Sequence, residues 1–397
     1  MLGKNFVLTL FDAFSIERWN DLVRPFKPME MDKASEKMFL AFIIGKYEQK
    51  CGKKINWNKI INYSVFALLQ KIALSDIKAP IQYLIRTSYP EEYKKINEWI
   101  FEKYKKIIDN KKFLSLFEAY LFSDEKNRTI EDEILFASHQ YASLRELEML
   151  KPCNEEFRLK DILFSIKNDV VNFKHLLGVN LLLKEDKPYK LITKIEQLRF
   201  QLRWNQSPRV PQTSVLGHSY FVAVLTLLMC YDIGLSDSRI YNNFFCGLFH
   251  DLPEAVTRDI ISPVKQATET LPDIVKEIEN KVVEEELLPL MDDFYKDEIL
   301  YYIQNEFENR IKMNGKVKIV ENYIELNKNE SFMPIDGKLV RFADHISAFI
   351  EAESSIQYGI TSTQLEDGKR NIISLYPIGT KINGFEVDKF FNKFRQN

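Results

Sequence analysis

The segment from Phe244 to Pro263 reads FFCGLFHDLPEAVTRDIISP. Its first six residues form an apolar run that suits a buried helix, and Pro253 is tolerated in a first helical turn but not inside a helix. The chain is therefore predicted to break close to His250 and Asp251, which places two potential metal ligands at a helix end. Glu254 lies four residues after His250, so on a continuing helix it faces the same side.

Two further potential ligands lie in other apolar segments. His218 precedes the apolar run 221–229, which predicts a buried helix too short to cross a bilayer. Asp344 lies in the segment 339–350, whose apolar residues follow a helical spacing that turns Asp344 close to the buried face. Two imidazoles and two carboxylates suit a divalent ion at a hydrolytic site. A single buried histidine or aspartate is more often a hydrogen-bonded core residue, so the spacing alone favours a metal site only weakly.

The residues around these ligands resemble the HD-domain phosphohydrolases, and within them the bacterial 5'-deoxynucleotidases. An Arg-Trp pair at 203–204 precedes His218-Ser219, and the pattern His-Asp-x-x-Glu-x-x-Thr-x-Asp-x-x-Ser-Pro-Val-Lys then runs from His250 to Lys265. The resemblance covers the chain from about residue 185 to the C-terminus. Two positions depart from the family pattern: Arg258 stands where glycine is usual, and Gly217 where an acidic residue is usual. The arginine puts the identity of the substrate in doubt more than the chemistry.

The resemblance implies one divalent metal ion, held by His218, His250, Asp251 and Asp344. Imidazole and carboxylate ligands admit manganese, cobalt, magnesium, zinc, nickel or iron, so the sequence does not identify the metal. His139, His175 and His345 are interpreted as structural.

The resemblance also assigns roles at the substrate. Arg203 would orient the phosphate through its forked donors. Glu254 and Asp259 are both acid-base candidates, and the sequence does not divide the two roles between them. Trp204 would pack against the sugar or base, although a purely structural tryptophan is nearly as plausible. Ser262 is a weaker candidate for substrate binding.

The implied function is hydrolysis of the phosphomonoester of (deoxy)nucleoside 5'-monophosphates, with the nucleotide as a small-molecule partner. One alternative is an HD hydrolase acting on another phosphomonoester or on a phosphodiester. Another is a non-catalytic nucleotide-sensing or scaffold module. The complete ligand set together with Glu254 and Asp259 favours an enzyme, because a site that has lost its activity has little reason to keep both ligands and acid-base groups.

Composition excludes several other classes. The 397 residues hold 55 Lys+Arg against 57 Asp+Glu, so the formal charge of −2 does not indicate a general nucleic-acid or anionic-membrane binder. The four cysteines show no Cys-x-x-Cys pairing, which fits a reducing cytoplasm. The apolar segment 6–11 is too short for a signal peptide, and no segment is expected to be long enough to span a bilayer.

Helical periodicity recurs throughout the chain, and thirteen glycines and fourteen prolines are few for this length. These features predict an all-α protein, and the resemblance predicts an HD-domain helical bundle. The stretch 312–337, which contains Asn314-Gly315, is predicted to form a loop or short hairpin. The acidic run within 269–298 is interpreted as a solvated helix face.

Three sequence anchors occur twice in the same order, which predicts a duplication. Arg18-Trp19-Asn20 returns as Arg203-Trp204-Asn205, the segment 68–80 aligns with 248–263, and Phe136-Ala137-Ser138-His139 aligns with Phe342-Ala343-Asp344-His345. In this alignment Gln70 stands opposite His250, Lys71 opposite Asp251, and Ser138 opposite Asp344. The first copy is therefore predicted to have lost its metal site.

The polar segment 178–190 contains Pro188 and is the predicted linker. The predicted domains are a degenerate HD-like helical domain at 1–180 and a catalytic HD domain at 181–397. Relatives of the short form tend to be homodimers, and a fused degenerate copy could take the place of the partner subunit. The chain is therefore expected to be either a monomer arranged as a pseudo-dimer or a homodimer.

Overall fold

The computed structural model describes residues 2–75, 77–123, 128–258, 268, 270–328 and 330–395. Helices dominate these residues, and the strands are short. The prediction of an all-α protein is confirmed.

The described residues in the first half of the chain form ten α-helices. They are α1 (Lys4–Phe11), α2 (Glu30–Lys50), α3 (Trp57–Leu74), α4 (Ala79–Ser88), α5 (Pro90–Lys105), α6 (Lys111–Leu121), α7 (Ile130–Leu150), α8 (Glu156–Val171), α9 (Leu177–Leu183) and α10 (Lys187–Glu196).

The second half contributes nine described helices and two small antiparallel sheets. The helices are α11 (Val215–Asp232), α12 (Asp237–Phe249), α13 (Glu254–Thr257), α14 (Leu271–Val282), α15 (Asp293–Ile303), α16 (Ile324–Lys328), α17 (Gly337–Gln357), α18 (Thr363–Ser374) and α19 (Asp388–Arg395). The strands are β1 (Asn309–Met313), β2 (Lys316–Ile319), β3 (Ile335–Asp336), β4 (Lys381–Ile382) and β5 (Phe385–Glu386).

The predicted hairpin is present as β1 and β2, paired from Arg310 opposite Ile319 to Met313 opposite Lys316. Asn314 and Gly315 form its turn with φ of 48° and 76°. A two-residue turn of this kind needs positive φ at both positions, which asparagine and glycine tolerate best. β3 adds to the other edge of β1 and leads directly into α17.

The acidic run also takes the predicted form. α14 leads into a single π-helical turn, Val283–Leu287, in which Glu284, Glu285 and Glu286 are exposed while Val283 and Leu287 are buried. The charges therefore lie on a solvated helix face.

The long helices α2 and α11 lie at the centre of the molecule and pack against each other. Nearly every side chain of both helices is buried. Local capping fixes where α11 begins, because the Ser214 side chain accepts a hydrogen bond of 2.9 Å from the Gly217 amide. One apolar core joins the two halves: the rings of Phe42 and Phe249 lie 4.9 Å apart, and those of Phe11 and Phe221 lie 5.7 Å apart.

The expectation that no segment is long enough to span a bilayer needs a correction. By length and composition α11 could cross a membrane, because the helix extends beyond the apolar run 221–229 at both ends. It is nevertheless 94% buried inside the protein, as the core helix of a globular fold is.

The approach to α2 and the approach to α11 have the same backbone structure. Arg18 and Arg203 each donate an amide hydrogen bond back to the residue two positions before the helix, at 2.8 and 3.0 Å. Trp19 and Trp204 both have positive φ, 53° and 54°. Each residue of the second pair lies 203 − 18 = 185 positions after its counterpart.

The side chains of these pairs are held in the same way. The Trp19 indole nitrogen donates to Glu146 at 2.9 Å, and the Trp204 indole nitrogen donates to Glu351 at 2.7 Å. Glu146 lies near the end of α7 and Glu351 lies on α17, and both helices are 21 residues long. These matching contacts are what a duplication predicts. The domain boundary near residue 180 stays a prediction.

The shared Trp–Glu contact also corrects the alignment of the third anchor. Glu351 lies 351 − 146 = 205 positions after Glu146, whereas the sequence match used a separation of 206. The contact therefore places His139, rather than Ser138, opposite Asp344. The one-residue error arose because the two helices share the dipeptide Phe-Ala out of structural register.

Candidate metal centre

Three helices bring the four predicted ligands together. His218 lies in the first turn of α11, His250 caps the C-terminal end of α12 with Asp251 directly after it, and Asp344 lies in the second turn of α17. Because α12 ends at Phe249, the chain turns after it as the position of Pro253 predicted.

Three of the four ligand atoms form a compact group, and a carboxylate oxygen of Asp344 lies beside His218. Nε2 of His218, Nε2 of His250 and a carboxylate oxygen of Asp251 all lie within 4.8 Å of one another. The Nε2 atom of His218 is 3.1 Å from Oδ1 of Asp344, and that of His250 is 3.1 Å from Oδ2 of Asp251. His218 and Asp344 are 344 − 218 = 126 positions apart in the sequence, and the fold brings them into contact.

The opposite side of each imidazole is held by a hydrogen bond. Nδ1 of His218 lies 2.9 Å from the Ser347 hydroxyl, and Nδ1 of His250 lies 2.8 Å from the Gly247 carbonyl. Such contacts fix the ring orientation, so that both Nε2 atoms face the cluster. Sequence reasoning missed Ser347, although it lies three residues after Asp344 and hence on the same helix face.

The electrostatics of the cluster keep both carboxylates ionised. Burial alone would raise the pKa of Asp344, but its contact with His218 and the charge of Arg203 hold that pKa well below the usual range. Burial also opposes ionisation of Asp251, yet the neighbouring His250 lowers its pKa. The same pairing outweighs the effect of burial on His250 and raises its pKa to about 9.

The donor set fits a divalent cation. Both Nε2 atoms are buried without a hydrogen bond of normal geometry, and two ionised carboxylates face them. A buried imidazole nitrogen that lacks such a partner is costly in free energy unless an ion binds it. His218, His250, Asp251 and Asp344 could therefore hold one ion and leave room for further ligands.

Arg203 borders this cluster. Its terminal nitrogen lies 3.8 Å from Oδ1 of Asp344, while its Nε donates to Glu351 at 3.2 Å. The arginine side chain is 17% exposed, so it is open to a molecule at the cluster. Its charge also acts on the carboxylates of Asp251 and Glu254, because these acids help to raise the pKa of the guanidinium.

Glu351 is a site residue that sequence reasoning missed. It is fully buried, and it accepts hydrogen bonds from Arg203, Trp204 and the Thr213 hydroxyl. Burial would raise the pKa of Glu351. The charge of Arg203 outweighs this effect and, with the hydrogen bond from Thr213, lowers the pKa to about 2. It lies seven residues after Asp344 on α17, so the two-turn spacing was a possible signal.

A family model for the HD domain matches residues 195–373 of the chain. Residues 195–373 carry an HD domain. Among solved structures, an HD-domain phosphohydrolase from Listeria innocua is similar at 17% sequence identity and a TM-score of 0.39, with 51% of this chain and 85% of that chain covered. A search of curated proteins found no match.

Within the HD domain, Glu254 begins the short helix α13, three residues after Asp251. One of its carboxylate oxygens is buried, and its carbonyl accepts a hydrogen bond from the Gln201 side chain. The predicted positions Asp259 and Ser262 lie outside the described residues. Their assignments stay predictions.

Trp204 has a structural position in the HD domain. Its indole nitrogen is bonded to Glu351, and its ring lies so close to Gly368 of α18 that a Cβ there would be 2.6 Å from it. These contacts favour the structural interpretation that the sequence left open. The substrate-binding role of Trp204 stays a prediction.

The two departures from the family pattern have distinct physical settings. Arg258 has φ of 63° and ψ of 162°, a conformation that only glycine adopts easily. This backbone conformation explains why glycine is usual at the position. Gly217 faces the first half of the chain: a Cβ at this position would lie 2.6 Å from Asp32 Oδ1 and 2.6 Å from the Phe14 ring. An acidic side chain has no room there, because Asp32 occupies that space.

Proposed function

We propose that this protein is a metal-dependent phosphohydrolase that acts on nucleoside 5'-monophosphates. The observation that carries the proposal is the convergence of two imidazoles and two ionised carboxylates beside the partly exposed guanidinium of Arg203. The HD domain and the resemblance of the motif to 5'-deoxynucleotidases support the reaction type and the substrate class.

The chain supplies four groups that could hold the ion and one that could orient the phosphate. The bound ion would polarise a phosphoryl oxygen and lower the pKa of a water molecule. Arg203 would donate to the nonbridging phosphate oxygens, and Glu351 holds it in position for this role. Ser347 and the Gly247 carbonyl keep the two imidazoles turned toward the ion.

Glu254 is the described acid-base candidate. As a general base it would accept a proton from the attacking water, which contributes about 100-fold to 10,000-fold in rate in enzymes of many kinds. Its buried carboxylate oxygen and its position three residues after Asp251 support this role. The leaving sugar oxygen needs a proton in the same reaction, and Asp259 is the sequence candidate for supplying it.

The experiment measures phosphate release from deoxy- and ribonucleoside 5'-monophosphates with EDTA or with Mn²⁺, Co²⁺ or Mg²⁺. The wild-type protein is compared with Asp251→Asn and with Asp161→Asn, whose aspartate is exposed on α8. We expect release that depends on the ion, falls at least about 100-fold in Asp251→Asn and is unchanged in Asp161→Asn.

Metal content gives a second readout that does not depend on the choice of substrate. Wild-type protein and Asp161→Asn should retain about one equivalent of ion after dialysis, and Asp251→Asn should retain much less. Equal metal content in all three proteins would contradict the ligand assignment. Bound metal without release from any of these nucleotides would contradict the substrate class.

A further inference from the structure

The first half of the chain has a cavity at the place that corresponds to the metal centre. It has a volume of about 370 Å³ and lies between α2, α3 and α7. That volume is within the range of pockets for small molecules. Lys33 and Lys37 of α2, Lys71 of α3 and His139 of α7 are among its lining residues.

The lining residues stand where the HD domain has its metal ligands. Lys33 lies 218 − 33 = 185 positions before His218, the same separation that relates Arg18 to Arg203. His139 takes the place of Asp344 according to the shared Trp–Glu contact. Lys71 stands opposite Asp251 in the sequence alignment. Two of the groups that would hold a cation are thus replaced by lysines.

The two acidic residues that line the cavity form ion pairs with cations that are not among the lining residues. Glu30 pairs with Arg18 at 2.7 Å, and Asp132 pairs with Lys59 at 2.8 Å. Glu30 also acts on the charges of Lys33, Lys37 and Lys71 and offsets part of them, so the lining has three lysines against two acids. Arg86 adds a fourth cationic side chain to the lining.

Burial and neighbouring cations both shift the pKa values of the lining groups. Burial, helped by the charge of Arg18, lowers the pKa of Lys33 to about 7, and burial lowers the pKa of Lys37 to about 8. The charge of Lys33 is the largest cause of the lowered pKa of His139. An anion in the cavity would favour the protonated form of all three groups.

Aromatic side chains line the outer part of the same cavity. Tyr83 is 57% exposed and lies under the guanidinium of Arg86, which is 5.6 Å from the ring centroid. Tyr63, Tyr93 and Phe136 also contribute to the lining. Flat aromatic surfaces next to cationic groups suit a ligand that has both a ring and a phosphate.

We propose that this cavity binds a small phosphorylated molecule with a ring, such as a nucleoside monophosphate, without a metal ion and without hydrolysing it. Lys33 and Lys71 would contact the phosphate, where the catalytic half uses its ion. Arg86 and the tyrosines would contact the ring. This second site is separate from the proposed catalytic function, because it uses other residues in the other half of the chain.

The test is calorimetric titration of the full chain with adenosine 5'-monophosphate and with adenosine. All proteins carry Asp251→Asn, and the buffer contains EDTA, so hydrolysis and metal-bound nucleotide do not contribute. Lys33→Met and Lys71→Met are compared with Lys167→Met, whose lysine is exposed on α8. Binding of the monophosphate should weaken at least ten-fold in the first two variants and stay unchanged in the third. Adenosine should bind at least ten-fold more weakly than its monophosphate.

Equal affinity for the monophosphate in Lys71→Met and Lys167→Met would overturn the proposal, as would equal affinity for the monophosphate and adenosine or no binding at all. Lys33 is buried and donates to the Ser143 hydroxyl, so its substitution could affect folding. Lys71 is only partly buried, and its variant therefore decides the question if Lys33→Met does not fold. Hydrolysis by the wild-type protein is measured separately, so failure of either proposal leaves the other intact.

Discussion

At the scale of single residues, the backbone at Arg258 is strained. Its φ of 63° and ψ of 162° lie in a region that is essentially restricted to glycine and costs other residues about 1–3 kcal/mol. Its side chain is exposed.

Arg258→Gly should therefore stabilise the protein. Relief of the backbone strain exceeds the added chain entropy of a glycine in the unfolded state, so we expect a net gain of about 0.5–1 kcal/mol. The free energy of unfolding, obtained from denaturant unfolding followed by circular dichroism, measures this gain. Arg258→Ala removes the same side chain but keeps the strain, so a matching gain in that variant would contradict this explanation.

The buried glutamates Glu351 and Glu146 perform the same structural task in the two halves. Each accepts hydrogen bonds from an arginine and from the following tryptophan. Only Glu351 holds an arginine that borders the metal centre.

Replacing either glutamate by glutamine should destabilise the fold by about 3 kcal/mol, because a buried ion pair loses one charge. The two variants should differ in activity. At a temperature where both are folded, Glu351→Gln should raise the KM for a nucleotide substrate, since Arg203 loses its support, and Glu146→Gln should leave it unchanged. An equal rise in both variants would show that these effects come from general destabilisation.

At the scale of helices, α2 and α11 approach each other closely at Gly217. A Cβ at this position would meet both Asp32 and Phe14 at 2.6 Å. Asp32 is fixed there because it accepts a hydrogen bond of 2.5 Å from Ser214, the residue that caps α11.

Gly217→Ala should destabilise the protein by about 1–3 kcal/mol, because the added methyl group overpacks the contact between the two helices. Thermal unfolding measures the loss. Gly3→Ala is the matched control, since the nearest atom to a Cβ at Gly3 is 3.9 Å away. A Gly217→Ala variant as stable as this control would mean that the helices separate without cost.

At the scale of the whole molecule, three helices from different parts of the chain bring together the predicted metal ligands. An ion that binds them stabilises only the folded state. A free ion concentration 100 times the dissociation constant would add about 2.7 kcal/mol to the free energy of unfolding.

The midpoint of thermal unfolding should therefore rise when a divalent ion is added to metal-free protein, and EDTA should reverse the rise. His250→Ala removes one ligand and should abolish the shift. Asp161→Asn should keep it. A shift of equal size in His250→Ala would mean that the ion binds elsewhere.

The packing of α2 against α11 agrees with a pseudo-dimer within one chain. The two helices begin after matching turns, and residues of both halves share one apolar core. If the first half occupies the place of a partner subunit, light scattering should give the mass of one chain, 46.9 kDa. A mass of two chains would contradict the pseudo-dimer.

Several features could be predicted from the sequence because their causes are local. Helical spacing of apolar residues predicted the all-α class, Asn314-Gly315 predicted the hairpin turn, and Pro253 predicted the break after α12. The residue types and the resemblance of the motif predicted His218, His250, Asp251 and Asp344 as ligands, and the fold brings these four residues together.

Other features depend on contacts between residues that are far apart in the chain. No local pattern places Asp32 against Gly217 or joins Glu351 to Arg203, because each contact depends on how whole helices pack. The same is true of the contact that makes His139 the counterpart of Asp344 in the two halves. The same holds for the cavity between α2, α3 and α7. The sequence by itself determined the helices and the ligand types, and only tertiary packing decided which distant side chains meet, since burial and interhelical contact are properties of the assembled core.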